Sequence, residues 1–264
     1  MNLFNKRPAS MLPRLIAAYR SVGHEPLTGY NSYHFGNWMD APFTTFVSEG
    51  QLVGMAGLAL QEIMFLDGLG GLIDPRSILV IGNAHGWSTV ALALIFPEAR
   101  IVALDPDEKG NELTNRIAGL LRLNATAVPG YSPQDVGRIV EAELGGSLDF
   151  CLIDAVHDDA HLTADFAGIQ PFIAKGAIVA MHDVINWNMV EALKGILAQP
   201  GVSGRLLTRP PAGLGIACEG PLSRGGVGCR EGPGGAGARG GVGGGVPAGG
   251  CAASALAGGR GGRT

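Results

Sequence analysis

The chain between residues 77 and 218 switches repeatedly between two hydrophobic patterns. Short apolar runs rich in β-branched residues predict buried strands, and longer segments with apolar residues three or four positions apart predict amphipathic helices. The predicted strands cover residues 77–82, 100–105, 124–128, 148–154 and 176–182, and the predicted helices cover residues 88–96, 107–121, 133–144, 161–173 and 187–199. Strands and helices that alternate in this way form a parallel sheet with crossover helices.

A predicted hairpin over residues 204–209 and 213–218 completes this sheet. The expected fold class is therefore α/β: a doubly wound, mostly parallel, seven-stranded Rossmann-like sheet with an antiparallel final strand. An apolar segment at 46–69 with an i, i+4 rhythm precedes the sheet, and we interpret residues 1–45 as an N-terminal helical cap on the substrate side.

Large apolar and aromatic side chains cluster just ahead of the sheet. They are Tyr30, Tyr33, His34, Phe35, Trp38, Met39 and Phe43. Such a cluster either covers the hydrophobic core or forms a wall of a substrate pocket, and the two roles are compatible.

Composition separates the last 44 residues from the rest of the chain. From Pro221 onward, 18 of 44 residues are glycine, and such a segment cannot bury enough apolar surface to offset the entropy of ordering it. We expect a Rossmann-like domain at 46–220 and a disordered Gly/Ala/Arg-rich tail at 221–264. The tail is either an out-of-frame reading of GC-rich DNA or a natural basic linker.

Charge and hydropathy exclude several classes of protein. With 46% hydrophobic and 16% charged residues, the chain is not intrinsically disordered, and no apolar run is long enough to cross a bilayer. The net charge of −4 includes the tail arginines, which leaves residues 1–220 near −8, and such an acidic domain repels nucleic acid.

The N-terminus shows no secretory signal, and the four cysteines form no disulfide framework. We expect a cytoplasmic protein with a small-molecule substrate, and self-association stays open.

Polar residues follow the first two strands, at the edge where doubly wound sheets bind ligands. The first strand runs into Gly82, Asn83 and Gly86, a turn that lets the backbone approach a ligand or pack tightly against the next helix. The second strand ends at Asp105, where an acid either accepts hydrogen bonds from a ribose or caps the following helix. Together the turn and the acid favour an adenosine-containing cofactor.

A second polar group follows the last two parallel strands. Asp154 and His157 come after one strand and His182 and Asp183 after the next. These carboxylates provide oxygen ligands for a divalent ion such as Mg²⁺. His157 can overhang the same cavity and accept a proton from a hydroxyl that a metal has acidified. His161 is expected to be a solvated residue of the next helix.

These segments resemble class I S-adenosylmethionine-dependent methyltransferases. More specifically, they are similar to the metal-dependent small-molecule O-methyltransferases of the macrolide-sugar, aminocoumarin and catechol type. The matching segments are ILVIGNAHGWSTVALA, IVALDPDE, PGYSPQD, LDFCLIDAVHDDAHLTADF and GAIVAMHDV. The combination of Asp-x-x-His with a later His-Asp carries most of the specificity.

The resemblance implies a role for each matching residue. The residues implied to bind S-adenosylmethionine are Gly82, Asn83, Gly86, Ser88, Asp105, Ser132 and Asp154. The implied metal ligands are Asp154, His182 and Asp183, and the implied catalytic residues are His157 and Asp154. The implied reaction is direct transfer of a methyl group to a hydroxyl of a sugar or phenol of a natural product.

Two other functions stay open at this point. A nicotinamide-dependent oxidoreductase would share Asp105, but it requires a glycine where Ala84 stands and a catalytic Tyr/Lys pair. A non-catalytic relative would bind the cofactor without turnover. A metal hydrolase is disfavoured, because residues 157–161 lack partner histidines on other strands.

Overall fold

The computed structural model describes residues 11–28, 43–55, 57–210 and 212–220. Its strands are β1 Glu25–Leu27, β2 Thr45–Ser48, β3 Gln51–Met55, β4 Ser77–Ile81, β5 Arg100–Leu104, β6 Ala125–Val128, β7 Leu148–Ile153, β8 Ile173–Met181, β9 Val202–Leu207 and β10 Leu214–Glu219. Its helices are α1 Leu12–Arg20, α2 Leu60–Leu69, α3 Trp87–Ile95, α4 Glu108–Leu121, α5 Val136–Leu144, α6 Asp159–Ile169 and α7 Val190–Leu197, with a 3₁₀ turn at Gln170–Phe172.

Seven strands form the main sheet in the order β6-β5-β4-β7-β8-β10-β9. The pairs from β6 to β8 are parallel, whereas β10 is antiparallel to both β8 and β9. This arrangement confirms the expected doubly wound sheet. The strand order reverses direction between β4 and β7, so the crevice at their carboxyl ends is the expected ligand site.

The central strands of the sheet are buried on both faces, which explains why β4, β5 and β7 are largely apolar runs. Ile78 and Val80 of β4 pack into the same apolar cluster as α2 and α3, while Leu79 and Ile81 pack into the cluster that contains α5, α6 and α7. Cys151 of β7 is fully buried in this second cluster, as expected of a small core residue.

The N-terminal region differs from the expected helical cap. Besides α1, it contains a small antiparallel sheet, β1-β2-β3, that the i, i+4 rhythm of residues 46–69 did not indicate. Tyr19 of α1 stacks on Phe46 of β2 at 4.8 Å and lies 5.3 Å from the ring of Trp87. These contacts join the N-terminal elements to the start of α3. Of the predicted aromatic cluster only Phe43 is described, and its other members lie outside the described residues.

Several helix boundaries also differ from the prediction; α7, for example, begins at Val190 and not at residue 187. The helix predicted from residue 133 begins at Val136, because Asp135 accepts a hydrogen bond from the Tyr131 N–H and closes residues 131–135 into a turn. The helix predicted to extend to residue 173 ends at Ile169, before Pro171, and Ile173 begins β8. Among the described residues, no helix is both long and apolar enough to span a membrane.

Candidate active site

The glycine turn after β4 is shaped by close packing. Gly82 has φ +90°, and a Cβ atom there would lie 1.9 Å from the carbonyl oxygen of Asp154. Gly86, with φ +77°, begins α3, and a Cβ atom there would lie 2.0 Å from Oγ1 of Thr114. Both glycines are therefore required by the approach of neighbouring elements, whatever else the turn binds.

A buried polar network fixes the turn from behind. Asn83 is 5% exposed, and its Nδ2 donates to Oγ1 of Thr114 at 2.9 Å and to Oδ1 of Asn111 at 3.2 Å. Its Oδ1 accepts a hydrogen bond from Thr89 at 2.9 Å. All of these hydrogen-bond partners lie inside the protein, so the Asn83 side chain is directed away from the crevice. The network holds the turn in place.

Asp105 lies at the end of β5, directly against this turn. Its Oδ2 accepts hydrogen bonds from the backbone N–H groups of Asn83 at 2.7 Å and Ala84 at 2.8 Å, and its Oδ1 accepts one from Asp107 at 2.8 Å. The cap of α4 is Asp107, whose side chain accepts from Lys109 and Gly110. The alternative role of Asp105 as the helix cap is therefore wrong, and its carboxylate instead positions the turn.

An open cavity of about 750 Å³ lies between the segment after β6 and the start of α6. Its wall combines apolar and polar side chains: Tyr131, Ser132, Pro133, Gln134, Asp135, Val156, Ala160, His161 and Ala164. Ser132 lies in this wall. Ser88 is buried at the start of α3.

The four polar residues after β7 and β8 come together. His157 Nε2 lies 3.4 Å from Oδ1 of Asp154 and 3.6 Å from Oδ2 of Asp183. His182 Nε2 lies 3.4 Å from Oδ1 of Asp183 and 3.9 Å from Oδ1 of Asp154. The two carboxylates are therefore flanked by two imidazoles, with His157 24% exposed at the mouth and His182 3% exposed behind.

A carboxylate from α2 completes this cluster. Glu62 is fully buried and its Oε1 lies 2.9 Å from Nδ1 of His182. Burial lowers the pKa of His182, but the charge of Asp154, the hydrogen bond that His182 donates to Glu62, and the charges of Glu62 and Asp183 together raise that pKa to about 10. His182 is therefore an imidazolium at neutral pH in the absence of a bound cation.

Trp187 holds Asp183 from the solvent side. Its Nε1 donates to Oδ2 of Asp183 at 3.0 Å, and its ring stacks on His157 at 5.7 Å. Asp183 has φ +61°, an uncommon conformation for a non-glycine residue that often marks a functional site. Burial raises the pKa of Asp183. Sequence reasoning missed both Glu62 and Trp187, although an acid inside the apolar run of α2 was an available signal.

The site contains no preformed metal geometry within the described ranges. No group of three or more His, Cys, Asp or Glu side chains there has the arrangement of a metal centre. His161 lies apart from the cluster, where its Nδ1 pairs with Asp158 at 2.7 Å and its side chain is 54% exposed, as expected for a solvated residue.

A known protein family matches the part of the chain that contains the site. Residues 79–184 match a family model described as "Methyltransferase domain". No curated protein matches the chain significantly. The matched residues extend from β4 to the residue after Asp183 and include both polar groups of the crevice.

Solved structures share the fold at low sequence identity. An O-methyltransferase from Bacillus cereus in complex with S-adenosylhomocysteine (SAH) is 22% identical, with a TM-score of 0.52 over 61% of this chain and 82% of the other. TomG, an O-methyltransferase from Streptomyces achromogenes involved in tomaymycin synthesis and bound to S-adenosylmethionine (SAM), is 14% identical, with a TM-score of 0.57 over 83% and 93%. A methyltransferase from Geobacter sulfurreducens is 14% identical, with a TM-score of 0.54 over 83% and 92%. Residues 79–184 thus match a methyltransferase domain, and the solved structures share the fold expected of the SAM-dependent methyltransferases.

Proposed function

We propose that this SAM-dependent methyltransferase transfers a methyl group to a hydroxyl of a small molecule, with the assistance of a divalent cation. The acceptor is a sugar or phenol of a natural product. The observation that carries the proposal is the convergence of Asp154, His157, His182 and Asp183 at the carboxyl ends of β7 and β8. A methyltransferase that needed only to bind its cofactor would not require two carboxylates and two imidazoles at this position.

The crevice after β4 and β5 is suited to the cofactor. When bound, SAM supplies an electrophilic methyl group on a sulfonium. The turn at Gly82 and Gly86 would hold the methionine part, and the Asp105 carboxylate could exchange a backbone hydrogen bond for a ribose hydroxyl. The cavity with Val156, Ala160 and Ser132 in its wall would take the flat adenine ring.

The two carboxylates of the polar cluster are oxygen ligands of the kind that a divalent cation takes, and they would have to close around the ion because the described residues hold no preformed metal centre. Asp154, Asp183 and Nε2 of His182 would hold the ion, and Glu62 adds a third negative charge behind them. A bound cation would lower the pKa of an acceptor hydroxyl that coordinates it. Because the ligating imidazole must be neutral, the cation would take the place of a proton on His182.

His157 is placed to receive the acceptor proton. Its imidazole is partly exposed at the mouth of the site, and Nε2 faces both carboxylates, so Asp154 and Asp183 stabilise the protonated ring. The stacked ring of Trp187 restricts its orientation. Alignment of an acceptor with the cofactor in such a site can supply about 7–11 kcal/mol of the barrier.

Titration calorimetry with SAH, with and without Mg²⁺, tests the first half of this proposal. We expect micromolar affinity for SAH. An acceptor screen with catechols and with glycosides then follows, and turnover should stop when a chelator is added. A folded protein that binds no SAH contradicts the proposal, and titration with a nicotinamide cofactor would then test the oxidoreductase.

The role of His157 is tested with a pair of histidine variants. His157→Ala should reduce kcat by about 10²- to 10⁴-fold while leaving the affinity for SAH unchanged, since loss of a general base affects the chemical step. His24→Ala, which alters a half-buried histidine packed edge-on against Phe46 outside the site, is the control and should retain activity. Full activity of His157→Ala would rule out this histidine as the base.

A further inference from the structure

The buried acid on α2 stands in direct contact with the polar cluster. Glu62 lies on a helix whose neighbouring residues Ile63 and Leu66 are in the hydrophobic core, and its side chain is fully buried. A buried carboxylate is costly unless each oxygen is hydrogen-bonded. Here Oε2 accepts from the N–H of Ala59 at 2.9 Å, and Oε1 faces Nδ1 of His182 at 2.9 Å.

Helix capping explains only one of these two interactions. A glutamate at the third position of a helix commonly reaches back to the N–H of the capping residue, as Oε2 does with Ala59. Such a role needs a single oxygen. The second oxygen is directed away from the helix to a residue 120 positions later in the chain.

The contact with Glu62 determines which nitrogen of His182 faces the two aspartates. Because Nδ1 donates to Glu62, Nε2 is the nitrogen directed at Asp183, 3.4 Å away, and at Asp154, 3.9 Å away. At many metal sites a carboxylate accepts the N–H of one ring nitrogen of a histidine, and the other ring nitrogen binds the cation. The carboxylate thereby fixes the tautomer and the orientation of the ring.

We propose that Glu62 is a positioning residue of the active site, which holds the His182 ring so that Nε2 joins Asp154 and Asp183 as a ligand for the divalent cation. This inference rests on the proposed metal-assisted function. It gives α2, an element that precedes the main sheet, a direct part in the geometry of the site. Glu62 acts through His182 and does not contact the reacting groups.

Metal binding by the full chain tests the inference without reference to turnover. Mn²⁺ affinity is measured by electron paramagnetic resonance of free Mn²⁺ for the wild type, Glu62→Gln and Asp149→Asn. Glutamine keeps the size of the side chain. Its amide has only one oxygen, however, whereas the Glu62 carboxylate accepts two hydrogen bonds through two oxygens. Asp149 is the matched control, because its carboxylate also accepts a backbone N–H, from Arg76 at 2.8 Å, but lies at the opposite end of β7.

The expected result is a loss of about 10- to 100-fold in Mn²⁺ affinity for Glu62→Gln, the range typical of residues that orient a metal ligand. Asp149→Asn should match the wild type, and the affinity of all three proteins for SAH without metal should agree within about twofold. Unchanged Mn²⁺ affinity in a folded Glu62→Gln protein overturns the positioning role alone. A wild type that binds SAH but no Mn²⁺ overturns the metal assistance and this inference together.

A measurement on the wild type decides the question if Glu62→Gln does not fold. In a protein labelled with ¹⁵N-histidine, addition of Mg²⁺ should move the Nε2 resonance of His182 and leave Nδ1 protonated. Loss of the Nδ1 proton, or no change at Nε2 in the presence of saturating Mg²⁺, contradicts the inference.

Discussion

Gly82→Ala is expected to be among the most damaging substitutions in the crevice. The added Cβ would lie 1.9 Å from the carbonyl oxygen, 2.4 Å from the carbonyl carbon of Asp154 and 2.8 Å from the nitrogen of Ala155. All three are backbone atoms, so no side-chain rotation relieves the contact. The end of β7 is also tied to β4 by the hydrogen bond from the Asp154 N–H to the Ile81 carbonyl at 2.8 Å. The two strand ends must therefore separate.

The magnitude divides into two contributions. A positive φ costs a non-glycine residue about 1–2 kcal/mol, and Gly146 isolates this contribution because it has φ +77° with nothing within 4 Å of a Cβ atom. Forcing extra atoms into a packed site adds about 1–3 kcal/mol. We therefore expect Gly146→Ala to cost about 1–2 kcal/mol, and Gly82→Ala to cost a further 1–3 kcal/mol.

Urea denaturation of both variants and the wild type gives this difference directly, provided that the m-values agree. Because separation of the strand ends moves Asp154, the Gly82→Ala protein should also lose Mn²⁺ affinity, whereas Gly146→Ala should retain it. Equal losses of stability, within about 0.5 kcal/mol, would refute the packing argument. The glycine would then be explained by the turn conformation or by contact with the cofactor.

Three further predictions concern the same region. The pKa of His182 is raised to about 10, so protonated His182 stabilises the folded protein fully below its unfolded pKa of about 6.5, and this stabilisation is lost as the pH rises towards 10. In chelated buffer the free energy of unfolding should therefore fall by up to about 1.4 kcal/mol per pH unit in this window. His182→Gln should remove this pH dependence. Asp105→Asn should destabilise the protein by about 1.5–3 kcal/mol in urea, because backbone hydrogen bonds to a charged acceptor are weakened; an unchanged midpoint contradicts this. Tyr19→Phe removes the hydrogen bond to the His85 carbonyl at 2.8 Å and should cost about 0.5–1.5 kcal/mol by thermal denaturation; a larger loss would mean that the hydroxyl does more than anchor α1 to the turn.

The main sheet was predictable because its strands are buried on both faces. β4 and β7 are apolar apart from Ser77 and Asp149 near their starts, and this signal depends only on local sequence. β1, β2 and β3 are short and only partly covered, so they carry no comparable pattern, and the i, i+4 rhythm around them indicated a helix. Tyr19 of α1 and Trp87 of α3 pack against Phe46 of β2, and such contacts are not visible in the local sequence.

The same distinction separates the predictable part of the site from the rest. Asp154 and Asp183 were expected to be neighbours, since the carboxyl ends of parallel strands lie at one edge of the sheet. Glu62 reaches the cluster from a helix before the sheet, and no rule of spacing relates it to His182. Likewise, Trp187 was assigned to a helix, whereas it precedes α7 and donates to Asp183. Local patterns locate strand ends, but partners from other elements depend on tertiary packing.

The position of β10 has a consequence for the order in which the protein is completed during translation. The last described strand is inserted between β8 and β9, so both neighbours depend on residues that leave the ribosome after them. Until residues 214–219 emerge, β8 presents an unpaired edge with Ile178 and Val179 on it. The nascent chain must therefore carry an open, apolar strand edge, the kind of surface that molecular chaperones protect from aggregation. The crevice between β4 and β7, by contrast, is synthesised well before the sheet is closed.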